Sequence, residues 1–236
     1  MNRLNFLFTL SSLSVVLVTI ERFSATTKVL LQPNSFMRLH EILQMTFLIT
    51  LTVIIPLLIV KEITNNFDTL KIKKAFGFFL LFVLGVYFYA TGNGIHEVSS
   101  FNFNQYCDVY NFTGDLCGGF FTNDYYTGNI FYFFGGALMV ISTLLLERLR
   151  PSNKFNSSQM AILVINAVIY ALAIFAYAAF DRVNVGIIYS VVVTIIADIF
   201  FLSIRLKLAQ YPITTYTAAT YTLGTTAALL VRFVLR

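Results

Sequence analysis

A bilayer's hydrocarbon core is about 30 Å thick and takes roughly 20 helical residues to cross. Apolar runs of that length recur through this sequence at about 4–22, 39–60, 75–93, 129–147, 160–180, 185–204 and 213–232. Nothing else in the chain limits its fold as strongly, because a segment in lipid must satisfy its own backbone amides and carbonyls, and a helix does so internally. The composition agrees: 58% of the 236 residues are hydrophobic and 11% are charged, against about 25% charged in soluble domains. Mean hydropathy is +0.78. The expected fold is therefore all-α, a single polytopic transmembrane helical bundle of about seven helices over residues 1–236. The first span follows Met1-Asn2-Arg3. Its apolar stretch exceeds the roughly 7–15 residues of a signal-peptide core, so a retained helix is expected, with six spans left if it is removed.

The basic residues set a direction. Lys61, Lys71, Lys73 and Lys74 fall on one side with Arg148, Arg150, Lys154, Arg205 and Lys207. The positive-inside bias makes those connections cytoplasmic. Alternation then predicts a cytoplasmic N-terminus, an outer C-terminus and an extracytoplasmic loop at about 94–128. That loop holds Asp108, Asp115 and Asp124 and no Lys or Arg. A plasma or inner membrane is the expected location. The net charge of +5 is accounted for by membrane-flanking lysines and arginines, so the bilayer is the expected partner and nucleic acid is not.

Both cysteines, Cys107 and Cys117, fall in the outer loop, where an oxidising compartment would close them into a disulfide. Asn111-Phe112-Thr113 in that loop and Asn156-Ser157-Ser158 on the inner side both match a glycosylation acceptor, a pattern too short to carry weight alone. Pro56 should kink the second span, and Gly92-Asn93-Gly94 should end the third.

An ionisable group inside a span costs roughly 2.5–3.5 kcal/mol on insertion scales and calls for a partner or a task. Both histidines occur in His-Glu pairs, His40-Glu41 opening the second span and His96-Glu97 closing the third. The topology puts both outside, with Gln44 one turn from His40 and Asp124 arriving ahead of the fourth span. Imidazole and carboxylate donors there suit zinc or iron. In that reading His40, His96 and Asp124 are ligands, and Glu97 or Glu41 is the general base on a metal-bound water. The competing reading is that these residues mark the water interface, with Arg38 paired to Glu41 or Asp124. No HExxH spacing is present.

A second polar locus lies in the sixth span, where Asp198 interrupts an apolar run with Arg205 two turns further on. The last span carries Thr214, Thr215, Thr217, Thr220, Thr222, Thr225 and Thr226. Such hydroxyls serve helix packing, or, with Asp198 and Thr220, a transport site for protons or cations. The aromatic segment from Phe120-Phe121 to Tyr132-Phe133-Phe134 reads as an interfacial belt or as one wall of an amphiphile-binding cleft. Asn129, Asn166, Tyr170 and Tyr177 are candidates for the same interior.

No GxxxxGK loop, GxSxG elbow or CxxCH motif occurs, and no lysine in the last span offers a retinal Schiff base. The seven spans, with His96 and acidic residues near one face, are similar in outline to the zinc-dependent hydrolase superfamily of alkaline ceramidases and adiponectin receptors. That family's histidine pair on the last helix has no counterpart here, so no site is carried over. Three functions stay open: a membrane-embedded enzyme, metal-dependent or not, acting on an amphiphilic small molecule at the outer face; a transporter or channel using Asp198; and a structural subunit of a membrane complex.

Overall fold

The computed structural model describes residues 2–110, 113–204 and 207–234. Arg205 and the Asn111-Phe112 part of the outer acceptor tripeptide lie outside them. Among the described residues there is no strand, and the chain forms seven long helices. These are α1 (Arg3–Arg22), α2 (Leu39–Ile63), α3 (Lys73–Tyr106), α4 (Asp115–Leu149), α5 (Ser157–Phe180), α6 (Val185–Ser203) and α7 (Pro212–Val234). The first six are long and apolar enough to cross a membrane. The threonines of α7 lower its hydropathy, and the packing shelters most of them, with Thr222 and Thr226 left exposed. α7 lies against α4, α5 and α6, with Thr214, Thr217, Thr220, Tyr221, Gly224 and Thr225 all buried. A helix face packed against other helices can be polar where a lipid-facing one cannot.

Six of the expected spans fall inside these helices, and the seventh, at 185–204, overruns α6 by one residue at its C-terminal end. Two expectations fail at the third and fourth. The third helix does not stop at Gly92-Asn93-Gly94 but continues to Tyr106. Residues 115–128, expected as loop, already belong to α4. The segment at 94–128 is thus mostly a helical hairpin with a short tip. At 1.5 Å per residue α3 is about 51 Å long, well beyond a hydrocarbon core of about 30 Å.

Close backbone contact explains the continuation. A Cβ on Gly92 would lie 2.1 Å from the Tyr132 amide nitrogen and 2.6 Å from the Gly128 carbonyl oxygen. One on Gly135 would lie 2.2 Å from the Tyr89 nitrogen and 2.5 Å from the Gly85 carbonyl oxygen. Gly92 is therefore a packing residue, one of four small positions that let two antiparallel helices touch. Seven residues separate Gly85 from Gly92 and Gly128 from Gly135, and four more steps carry each row to His96 on α3 and Asp124 on α4. One register fixes the hairpin and sets this His-Asp pair face to face.

Cys107 and Cys117 are disulfide-bonded, with Cα atoms 5.9 Å apart, and so close the hairpin tip. Linking ends about ten residues apart removes close to 3 kcal/mol of chain entropy from the unfolded tip. The Cys107→Ser variant should accordingly lose amide-exchange protection at the ends of α3 and α4 by about that amount. Unchanged protection there would show that the bond does not hold the tip.

At the opposite end Glu147, 0% exposed, accepts the α7 amides of Ile213 at 2.7 Å and Thr214 at 2.8 Å, and the Thr214 hydroxyl at 2.7 Å. A carboxylate at a helix N-terminus satisfies amides that have no partner within the helix. Glu147→Ala leaves two of these donors buried and unpaired, at a cost of about 3 kcal/mol. Thermal unfolding in detergent measures it, and an unshifted midpoint would mean that water or another side chain takes over the cap. On the loop-bearing end Arg232 closes the same bundle, donating to the carbonyls of Ala178 at 2.7 Å and Asp181 at 2.9 Å.

Candidate functional site

The polar residues that alternation groups on one side converge at the end of the bundle that bears the loop. The α1 C-terminus, the α2 N-terminus, the upper part of α3 and the start of α4 meet around a cavity of about 320 Å³, lined by Arg22, Arg38, His40, Glu41, His96, Glu97, Ser100, Asp124 and Tyr125. Two π-helical turns, Gln44–Leu48 and Asn123–Gly128, border it and carry Gln44 and Asp124. Such wide turns inside α-helices are frequent at functional sites.

Each of the four carboxylates here has a different employment. Glu41, 1% exposed, is consumed by its own helix: it accepts the Arg38 amide at 2.9 Å and Arg38 Nε at 2.8 Å, with Arg38 Nη2 beside them. This closes the first turn of α2 as a capping box does, while the Arg38 guanidinium lies 5.4 Å from the Phe101 ring centroid on α3. Glu21 Oε2 meets His40 Nδ1 at 2.8 Å and accepts Gln44 Nε2 at 2.7 Å. Asp124, 2% exposed, sits 2.8 Å from His96 Nδ1, which also lies 3.1 Å from the Asp124 carbonyl. Among the described residues Glu97 has no hydrogen bond, and Asp124 Oδ1 has none either. Glu97 is 4% exposed, and its nearest ionic neighbour is His40 Nε2 at 4.0 Å.

Each imidazole has a carboxylate at Nδ1, hydrogen-bonded in His40 by Glu21, whereas His96 Nδ1 hydrogen-bonds the Asp124 carbonyl with Oδ1 of the same residue 2.8 Å away. A carboxylate at Nδ1 fixes that nitrogen as the donor and leaves Nε2 to exchange a proton. For His40, Nε2 points toward Glu97.

This arrangement gives the metal reading no support. Among the described residues no three His, Cys, Asp or Glu side chains form a group able to hold a metal ion. His40, His96 and Asp124 do share one cavity, with Glu21 at His40 Nδ1 and Asp124 at His96 Nδ1, but they do not come together as such a group. Of the two glutamates proposed as base, Glu41 is a structural cap and Glu97 is the one with capacity left. Arg38 pairs with Glu41 rather than with Asp124.

Glu21 was absent from the sequence-derived group. By alternation the end of α1 lies on the same side as His40, so the signal was available: a carboxylate just past an apolar run, on the face that already held two histidines. Glu147 gave no comparable signal, because nothing in the sequence pairs the end of α4 with the start of α7.

Asp198 stands apart from this site. It is half-buried on the seam of α6 and α7 and accepts the Thr222 hydroxyl at 2.9 Å. Thr220 faces α5 instead, donating to the Ala167 carbonyl at 3.4 Å. Thr194 and Thr225 pair across the same seam at 2.9 Å. These hydroxyls join helices. Asn166 likewise ties α5 to α1 through Thr9 at 3.2 Å, and Asn129 bonds its own helix at the Tyr125 carbonyl.

The aromatic segment divides between faces. Phe134 is exposed, whereas Phe133 is buried and stacks on Tyr189 with centroids 4.7 Å apart. Tyr132 stacks on Tyr89 at 4.3 Å, and their hydroxyls are 2.9 Å apart. Tyr170 and Tyr177 pack against Tyr221 and Ile174 in the same interior. Tyr125, from this segment, forms part of the cavity wall and lies under the Arg182 guanidinium, 5.4 Å from its ring centroid.

No protein-family profile, curated protein or solved structure matches this chain.

Proposed function

We propose that this polytopic membrane protein is an enzyme that performs acid–base chemistry on an amphiphilic substrate at the outer face of its membrane. The observation that carries the reading is Glu97: a buried carboxylate without a hydrogen-bond partner, facing a cavity 4.0 Å from an imidazole that a second carboxylate holds in place. In this reading Glu97 takes a proton from water or from a substrate hydroxyl. His40, oriented by Glu21, returns one to the leaving group, and Asp124–His96 forms a second donor pair across the cavity. A buried base is useful here because low local polarity strengthens its pull on the proton.

The outer assignment rests on Lys61, Lys71, Lys73, Lys74, Arg148, Arg150 and Lys154, which sit at the other end of the bundle. An amphiphile is favoured because the cavity lies at the ends of spanning helices, where a polar headgroup meets the acyl region. The transport reading is weaker, since Asp198 already has a hydroxyl partner and lines neither this cavity nor the one at Lys154 and Lys207.

The experiment is a product screen. Purified protein in nanodiscs is incubated with total membrane lipid extract, and new species are sought by mass spectrometry beside the Glu97→Gln variant. Products that form equally with the variant, or none with the wild type across extracts, would remove the proposal.

A further inference from the structure

The cavity's unpaired charges indicate what kind of headgroup it takes, an inference that rests on the amphiphile reading above. The charges lining the cavity are mostly neutralised in place: Arg38 with Glu41, and His96 with Asp124. Two are not. Arg22, on the last turn of α1, forms no ion pair, hydrogen bond or ring contact among the described residues, and Glu97 has one direct ionic contact, His40 Nε2 at 4.0 Å, with His96 and Arg22 acting on it from further off. Both line the same cavity, too far apart for an ion pair yet near enough to attract each other. An unpaired cation and an unpaired carboxylate kept apart within one cavity are complementary to a ligand that carries both charges itself.

We infer that Arg22 and Glu97 form a subsite for a zwitterionic headgroup, Arg22 receiving its phosphate and one oxygen of Glu97 its ammonium group, with the other oxygen left for the proton transfer proposed above. Arg supplies the forked donors that suit a phosphate. A carboxylate that is 4% exposed gains from a cation that replaces its lost hydration. The volume supports the same occupant. At about 320 Å³ the cavity lies at the low end of the roughly 300–1,000 Å³ of small-molecule sites. That is room for a headgroup, with acyl chains left to the bilayer. Arg22 is exposed while Glu97 is buried, so the ammonium end enters first and the phosphate stays at the mouth. A purely anionic lipid would bring its charge to Glu97 uncompensated, and a purely cationic one would meet Arg22.

The test is binding, measured on the purified full chain in detergent by isothermal calorimetry. The probes are dihexanoyl phosphatidylethanolamine, dihexanoyl phosphatidylglycerol and free phosphoethanolamine. The zwitterionic lipid should bind at least tenfold more tightly than the phosphatidylglycerol. Arg22→Gln and Glu97→Gln should each weaken it by tenfold or more, and Arg22→Lys should recover part of the loss. Equal affinity for the two lipids overturns the inference, as does unchanged binding in both variants. If free phosphoethanolamine binds as tightly as the lipid with the same dependence on both residues, the amphiphile part is overturned and the site belongs to a soluble zwitterion. Unaltered melting of each variant shows that a loss of binding is not a loss of fold. Selective binding without turnover would sustain this inference and defeat the enzyme reading. Turnover of a neutral amphiphile that is indifferent to Arg22 would do the reverse.

Discussion

Replacing Glu97 with glutamine should lower turnover of the amphiphilic substrate by roughly 10²–10⁴-fold, the range that a positioned acid–base group contributes. The exchange keeps the size of a side chain that is 4% exposed and removes its ability to take a proton, so the fold should persist while the rate falls. Glu41 is the informative comparison. It lies in the same cavity wall, but its carboxylate is bound to the Arg38 amide and guanidinium, so Glu41→Gln should lower the melting temperature through a weakened helix cap. The enzyme reading thus requires a particular split: the rate falls sharply at Glu97, and stability falls chiefly at Glu41. If the two variants lost rate and stability in equal proportion, Glu97 would be one more buried structural carboxylate.

The histidines extend this test. His40→Ala frees Glu21 and Gln44 from a bond network at the junction of α1 and α2, and it removes the group nearest Glu97. The proposed proton route predicts a rate close to that of Glu97→Gln, and little further loss when the two are combined, because residues that act as one unit are not additive.

What the sequence disclosed follows from what lipid demands. Apolar runs report the spans directly, since each residue facing acyl chains must be apolar, and the expected limits of α5, 160–180, fall within the observed Ser157–Phe180. The packed face of α7 has a physical reason of its own: Thr214, Thr215, Thr217, Thr220 and Thr225 are buried against neighbouring helices, where hydroxyls find partners that lipid cannot offer. The site was legible in part. His40, His96, Glu97 and Asp124 were grouped because alternation of spans sends them to one end, a rule that fixes which end a residue reaches and says nothing of its distance from any other. The partners of each histidine were not legible for that reason, and neither was the division of labour among four carboxylates.

The largest misreading has a physical cause that predicts its own test. Gly92-Asn93-Gly94 looked like a helix stop because glycine disfavours helices in isolation by about 1 kcal/mol relative to alanine. In the bundle that cost is outweighed, since only a residue without a Cβ lets the α3 and α4 backbones approach as they do at Gly92 and Gly135. Gly92→Ala should therefore destabilise the protein by on the order of 3 kcal/mol, at the upper end of overpacking costs, because the obstacle is the backbone of the facing helix rather than a movable side chain. Gly94→Ala, two residues on, has nothing within 4 Å of its new carbon and should be neutral or stabilising by up to about 1 kcal/mol. Thermal unfolding of both variants in one detergent measures the difference. The consequence should reach the cavity, because the register set at Gly92 and Gly128 also sets His96 opposite Asp124 at 2.8 Å. Spreading the hairpin would pull that pair apart, so Gly92→Ala should weaken headgroup binding as well as stability, while Gly94→Ala spares both. Equal melting of the two variants would mean that α3 and α4 do not touch through their glycines, and the alignment of His96 with Asp124 would fall with that contact.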